Sequence, residues 1–232
     1  MTVRDIVMAA AGAQEDGFAS TISSFVTTIR GATTINYPTT PQAGDIAVLM
    51  TAAFNNSATI PGGVLATGFT NISNSTNTNV TESARLRIMY RLCTGSEGAS
   101  VSNLMTVNDY RGDLLFLFRP NIPATSVTIG DIEASVVYAS TPTAQTITGS
   151  GTTGDAVISM AFGVDTGTSF DVTTGMGFSP TQTDQEVDDQ GYIGCKWRYE
   201  TSANAQNTSA NHNNGSEGFT MGLQTFYISL FK

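Results

Sequence analysis

The chain has 232 residues, of which 40% are hydrophobic and 12% charged, so ordinary apolar content with half the usual charge excludes intrinsic disorder. The length allows one large or two small domains, each able to bury a core. The net charge of −9, from 10 Lys+Arg against 19 Asp+Glu with no basic run, argues against DNA or RNA as a partner, because such binding needs clustered cations to displace counterions from phosphates.

The chain opens with a short apolar stretch, Ile6 to Ala11. A bilayer span takes about 20 apolar residues, so no membrane partner is expected. Asp5 interrupts any signal-like pattern, and no cleaved signal peptide is read. Thr2 to Ala13 reads either as a short helix, on alanine propensity, or as an extended arm. Gly44-Asp45 is a turn signal opening an apolar run of strand length, Ile46 to Phe54. A Gly68-Phe69-Thr70 turn follows, then an Asn/Ser/Thr-rich stretch, Asn71 to Asn79, which reads as a loop.

Arg85 to Leu92 alternates with period two. That alternation predicts a strand with Arg85, Arg87 and Arg91 toward solvent and Leu86, Ile88, Tyr90 and Leu92 toward a core. Arg111-Gly112-Asp113, an integrin-type tripeptide, reads more simply as a turn into a closing apolar strand, Leu114 to Phe118. Val127 to Val137 is a further strand region, and Asn204 to Asn214 a second polar loop.

The chain repeats itself. Gly44-Asp45-Ile46-Ala47-Val48-Leu49-Met50 matches Gly154-Asp155-Ala156-Val157-Ile158-Ser159-Met160 at an offset of 110 residues. Phe69 and Phe178 lie 24 and 23 residues after Asp45 and Asp155, Tyr90 and Tyr199 lie 45 and 44 after them, and Phe116 and Tyr227 lie 71 and 72 after them. Four ordered landmarks point to an internal duplication. Short strands with regular turns predict an all-β fold: two tandem antiparallel β-sandwich units of jelly-roll or Ig-like type. An N-terminal docking arm at 1–17 would precede a first unit at 18–122 and a second at 123–232, with the boundary near Pro120 to Pro123.

No residue set reads as a catalytic, cofactor or metal site. His212 is the only histidine, no Gly-X-Ser-X-Gly elbow accompanies it, and it reads as an exposed loop residue. Asp184, Glu186, Asp188 and Asp189 could offer oxygen ligands to calcium, but EF-hand spacing is missing and a solvated acidic loop is the plainer reading. Paired carboxylates could serve glycoside hydrolysis only at a defined separation across a sugar, which sequence does not supply. Cys93 and Cys195 are expected to be buried free thiols, with a single bridge as the alternative. Trp197, Tyr192 and Tyr199 could stack on carbohydrate; packing is the plainer role, because alternation sets Trp197 and Tyr199 on one face of a core-type strand. The Asn-X-Ser/Thr triplets at Asn71, Asn79 and Asn207 are counted as chance.

Gly44-Asp45-Ile46-Ala47-Val48, Gly68-Phe69-Thr70, Leu86-Arg87-Ile88-Met89-Tyr90-Arg91 and Leu115-Phe116-Leu117-Phe118-Arg119 together resemble a family of two-unit β-sandwich proteins of tailed bacteriophages and prophages. The second half repeats the string more loosely, and the family commonly has Gly-Trp where this chain has Gly68-Phe69. The resemblance implies a non-enzymatic accessory protein of the virion tail, baseplate or head surface. It would be made in the host cytoplasm and act as a homo-oligomer against other virion proteins. It carries over no catalytic residues and no cofactor. The alternative expectation is a host-adhesion module that binds surface glycans.

Overall fold

The protein is described by a computed structural model over residues 18–23, 33–55, 65–78, 83–102, 104, 110–120, 123–139, 145–150, 156–164, 170–174, 183–186, 191–199, 205–212 and 219–231. Every regular element among them is a strand. The first half holds β1 (Phe18–Ser23), β2 (Thr34–Asn36), β3 (Ala43–Asn55), β4 (Thr70–Thr78), β5 (Ser83–Thr94), β6 (Ser100–Ser102) and β7 (Tyr110–Pro120). The second holds β8 (Ser126–Ala139), β9 (Gln145–Ser150), β10 (Ala156–Val164), β11 (Phe170–Thr174), β12 (Thr183–Glu186), β13 (Gly191–Tyr199), β14 (Ala205–His212) and β15 (Phe219–Phe231). Among the described residues the expected all-β, antiparallel class is what the structure shows. The arm at 1–17, the Gly154-Asp155 pair and the Gly177-Phe178-Ser179 turn lie outside the described residues.

Two five-stranded sheets dominate, ordered β1-β7-β3-β5-β4 and β12-β13-β10-β15-β8. All their pairings are antiparallel. Read from opposite ends, the two orders are the same. The strand that follows Gly-Asp (β3, β10) is central, with the closing strand (β7, β15) on one side and the basic-aromatic strand (β5, β13) on the other. Smaller sheets echo this: β2 pairs β6, and β9 pairs β14, which also carries β11.

The pairing register sharpens the repeat. Val48 stands between Tyr90 and Phe116, and Ile158 stands between Trp197 and Phe226. Trp197, not Tyr199, therefore takes the place of Tyr90, and Phe226, not Tyr227, that of Phe116. Tyr199 misleads by two residues, because a two-residue shift keeps every side chain on its own face of the pleat and the pattern survives it, whereas Tyr227 lies one residue from Phe226 and so falls on the opposite face.

Described residues on both faces of β3, β5 and β7 in the first sheet are buried. Ile46, Ala47, Val48, Leu49 and Met50 are all 0% exposed. The odd positions Ala47, Leu49, Met89, Cys93, Leu115 and Leu117 form one cluster with Ile35, Tyr37, Ala66, Phe69, Val101 and Leu104 around β2 and β6. The even positions Ile46, Val48, Met50, Ile88, Leu114, Phe116 and Phe118 are buried on the opposite face. This corrects the reading of β5. Arg85, Arg87 and Arg91 share the face of Met89 and Cys93, which points into a core and not into solvent. Alternation identifies a solvent face only when one side of a sheet is wet, and here neither is.

Two polar stretches expected to be loops are strands. Residues 71–78 of the first lie in β4, and residues 205–212 of the second form β14. β4 is an edge of its sheet, where polar side chains discourage pairing with other chains. β14 lies between β9 and β11, and its backbone is engaged on both sides. Ladder hydrogen bonds, which sequence polarity does not report, decide both cases.

Gly44 opens β3 at a register shift between Ala43 and Ile46. Its φ is +85°, and a Cβ there would stand 2.5 Å from the Pro123 Cβ. Its carbonyl accepts the Ala124 N–H at 3.3 Å. Only glycine allows both the left-handed backbone and this approach. Gly98 has φ +79° but open space where a Cβ would lie. In chemical denaturation, Gly44→Ala should lose roughly 2–3 kcal/mol, from αL strain plus the collision, and Gly98→Ala about 1 kcal/mol, from strain alone.

Candidate functional site

Three groups of polar side chains stand out among the described residues. The first joins the start of β3 to the end of its neighbour β7. Arg119, at the end of β7, donates from Nε to Asp45 Oδ1 at 2.9 Å and from Nη2 to Asp45 Oδ2 at 2.7 Å. Asp45 Oδ2 also accepts the Gln42 N–H at 2.8 Å, and Arg119 Nη2 reaches the Thr40 carbonyl at 3.3 Å. Asp45 is 2% exposed, while the Arg119 side chain remains 23% exposed. Hydrogen bonding to Asp45 holds the Arg119 guanidinium above its ordinary pKa. The two-pronged contact fixes geometry as well as charge. It secures β3 beside the point where the chain leaves β7 for β8.

The second group is a row across three strands. Arg87 on β5 and Asp113 on β7 both stand opposite Thr51 on β3. Thr51 Oγ1 donates to Asp113 Oδ1 at 2.6 Å, and Asp113 and Thr51 are 0% and 1% exposed. Burial lowers the pKa of Arg87, with a further contribution from nearby Arg85, and burial also lowers that of Arg85. Asp113 places a carboxyl group in the same interior row as Arg87, and buried polar groups persist inside only with partners. Arg111-Gly112-Asp113 is therefore no turn. It lies within β7, and its carboxylate is sealed in the core, out of reach of a receptor.

The third group surrounds a tight turn. Glu97 accepts the Thr94 N–H at 2.6 Å, the Thr94 hydroxyl at 2.9 Å and the Gly95 N–H at 2.8 Å, and it pairs with Arg91 at 3.1 Å. Burial alone would raise the Glu97 pKa, but the bonds from Thr94 and Gly95 outweigh it and leave the carboxyl below its usual range. Arg91 in turn lies against the Gly68 turn, where a Cβ would stand 2.8 Å from Nη1. Gly68 has φ +80°, and the adjoining Phe69, 6% exposed, enters the core. The Gly-Phe signature thus marks a glycine overlain by an arginine. Behind it, burial and then the nearby anionic groups push the free Cys93 thiol up to about 12. Burial, chiefly, also pushes the Tyr37 hydroxyl up to about 12. A thiol held protonated is a packing group and not a nucleophile.

The remaining candidates are dispersed. His212 is the last residue of β14, opposite Phe170, and not a loop residue. Asp184 and Glu186 belong to β12, opposite Gly194 and Tyr192, so they do not form an acidic loop; Asp188 and Asp189 lie outside the described residues. Tyr192, Cys195, Trp197 and Tyr199 sit on β13, paired with β10. Among the described residues no group of three or more His, Cys, Asp or Glu gathers where it could hold a metal ion.

Sequence reasoning missed Asp45–Arg119 and Thr51–Asp113, whose partners lie 74 and 62 residues apart. No local pattern carries that information. The Thr94–Glu97 turn was not singled out either, although its Thr-X-X-Glu spacing is a local side-chain-to-backbone motif that could have marked it. No family model, no curated protein and no solved structure matches the chain.

Two outcomes test these assignments. Arg119→Ala would leave a buried carboxylate with one donor fewer on each oxygen, and the unfolding free energy should fall by about 2 kcal/mol. The raised Cys93 and Tyr37 values stabilise the fold below their unfolded values of 9.0 and 10.0, and that contribution is lost as pH rises toward about 12. Urea titrations should therefore show stability falling with alkalinity above pH 9.0, and Cys93→Ala should fall less steeply than the parent.

Proposed function

We propose that the protein is a non-enzymatic structural component of a tailed-phage virion, built from two tandem β-sandwich units and working through protein–protein contacts. The observation that carries this reading is the common strand order of the two five-stranded sheets. One unit, duplicated in a single chain, supplies two related surfaces, an economical way to build contacts on a repeating particle. The landmark residues have structural work in the described half. Gly44 admits the linker, Asp45 holds Arg119, Gly68 accepts Arg91, and Phe69 fills the core. The motifs behind the phage resemblance thus act as joints of a scaffold. The acidic, low-charge composition suits a surface that meets other proteins and not nucleic acid. The partners are other virion proteins and further copies of the chain.

Light scattering on the purified protein, paired with rebinding to particles stripped of it, tests this reading. A defined oligomer that rebinds supports a symmetric virion component. A monomer that ignores the particle but binds host polysaccharide would replace it with the adhesion module. Removal of residues 1–17 should abolish incorporation while the β-sheet circular dichroism signal persists; normal incorporation of the truncated chain would remove the docking role from the arm.

A further inference from the structure

The even-numbered face of the first sheet is apolar across three strands. Its rows are Ile46–Leu92–Phe118, Val48–Tyr90–Phe116 and Met50–Ile88–Leu114. Of these nine residues only Tyr90 and Leu92 are half-buried, and the other seven are buried. The β2–β6 sheet does not cover this face, since its cluster takes the odd positions. The cover therefore lies on the other side, and the approaches between strands of the two halves indicate where it comes from. β7 approaches β13, and β4 approaches β8. β7 and β13 are each second in their sheet orders, and β4 and β8 are each fifth. Both approaches follow if the sheets lie over one another strand for strand: β1 on β12, β7 on β13, β3 on β10, β5 on β15 and β4 on β8.

We infer that the two five-stranded sheets stack face to face about a local two-fold axis that runs between β3 and β10, along the strand direction, each serving as the other's cover. The symmetry follows from the order alone. Stacked this way, the closing strand of one half lies on the basic-aromatic strand of the other, and each central strand lies on its own counterpart. That is the arrangement of an isologous dimer, here made within one chain. The second sheet carries matching rows, apolar except for Gln224. The positions equivalent to Val48–Tyr90–Phe116 are Ile158–Trp197–Phe226, and those equivalent to Met50–Ile88–Leu114 are Met160–Cys195–Gln224. An aligned sheet pair about 10 Å apart interdigitates such rows into one core. The small sheets β2–β6 and β9–β14–β11 then form the outer layers, and it is these, with the loops, that face partners. In this arrangement the row that holds Trp197 falls in the internal interface and not on a glycan surface.

This inference rests on the two-unit reading and is independent of the place on a particle. Trp197 is the only tryptophan, so its fluorescence in the full chain reports the interface directly. Emission should be blue-shifted and poorly quenched by iodide. Phe116→Ala, on the even face, should red-shift it and raise the quenching constant about two-fold or more by opening a cavity beside the indole. Leu115→Ala, on the odd face toward β2 and β6, should leave it unchanged at a similar loss of stability. Free quenching in the parent, or equal responses from the two variants, overturns the stacked arrangement. A shielded Trp197 that is blind to Phe116→Ala also overturns it, yet leaves two separate sandwiches standing, so the failure of the interface is told apart from the failure of the two-unit reading.

Discussion

The complete burial of Ile46 to Met50 in β3 is the constraint on which the rest of the first half depends. Five successive residues, Ile46 to Met50, have no exposure. A strand in that state needs hydrogen-bonded neighbours on both edges and apolar layers on both faces. β5 and β7 supply the edges. The small β2–β6 sheet and the Gly68-Phe69 turn supply one face. The demand for a second cover makes this sheet part of a larger assembly within the chain, and not a free-standing hairpin stack with one wet side.

The polar groups are arranged around that buried strand. Asp45 lies at its start and Thr51 just beyond its fully apolar stretch, and each bonds to a residue of β7. Asp45 faces a partly exposed arginine at the rim, where water tempers the cost of charge. Asp113 lies deeper and takes its bond from a hydroxyl. Both bonds bridge the same pair of strands, so they resist sliding of β7 along β3. Apolar contacts are non-directional and oppose such slippage weakly. The third group, around Glu97, does the same for the turn between β5 and β6 and ties it to Gly68 through Arg91.

For function, the sequence signals most easily taken for chemistry become structural once placed. The Arg-Gly-Asp tripeptide closes a sheet, the free thiol is held protonated in a core, and the arginine ladder turns inward. A scaffold whose conspicuous residues serve its own joints fits the proposed role in a particle, where shape and copy number matter more than reactivity.

The sequence by itself determined the all-β class, the central strand after Gly44-Asp45, the Gly68-Phe69 turn and the closing strand at Leu114 to Phe118. Each is written in local pattern: apolar run, glycine punctuation and period-two alternation. The internal repeat was legible for the same reason, although its register in β13 was not, because a shift of two residues leaves the pattern unchanged. Only the tertiary structure decided which face of β5 is inside, that the Asn-rich stretches of β4 and β14 are strands, and that Asp45 meets Arg119 and Thr51 meets Asp113. Those outcomes depend on backbone pairing and on neighbours brought in from 62 or more residues away. Neither leaves a mark on the composition of the segment concerned.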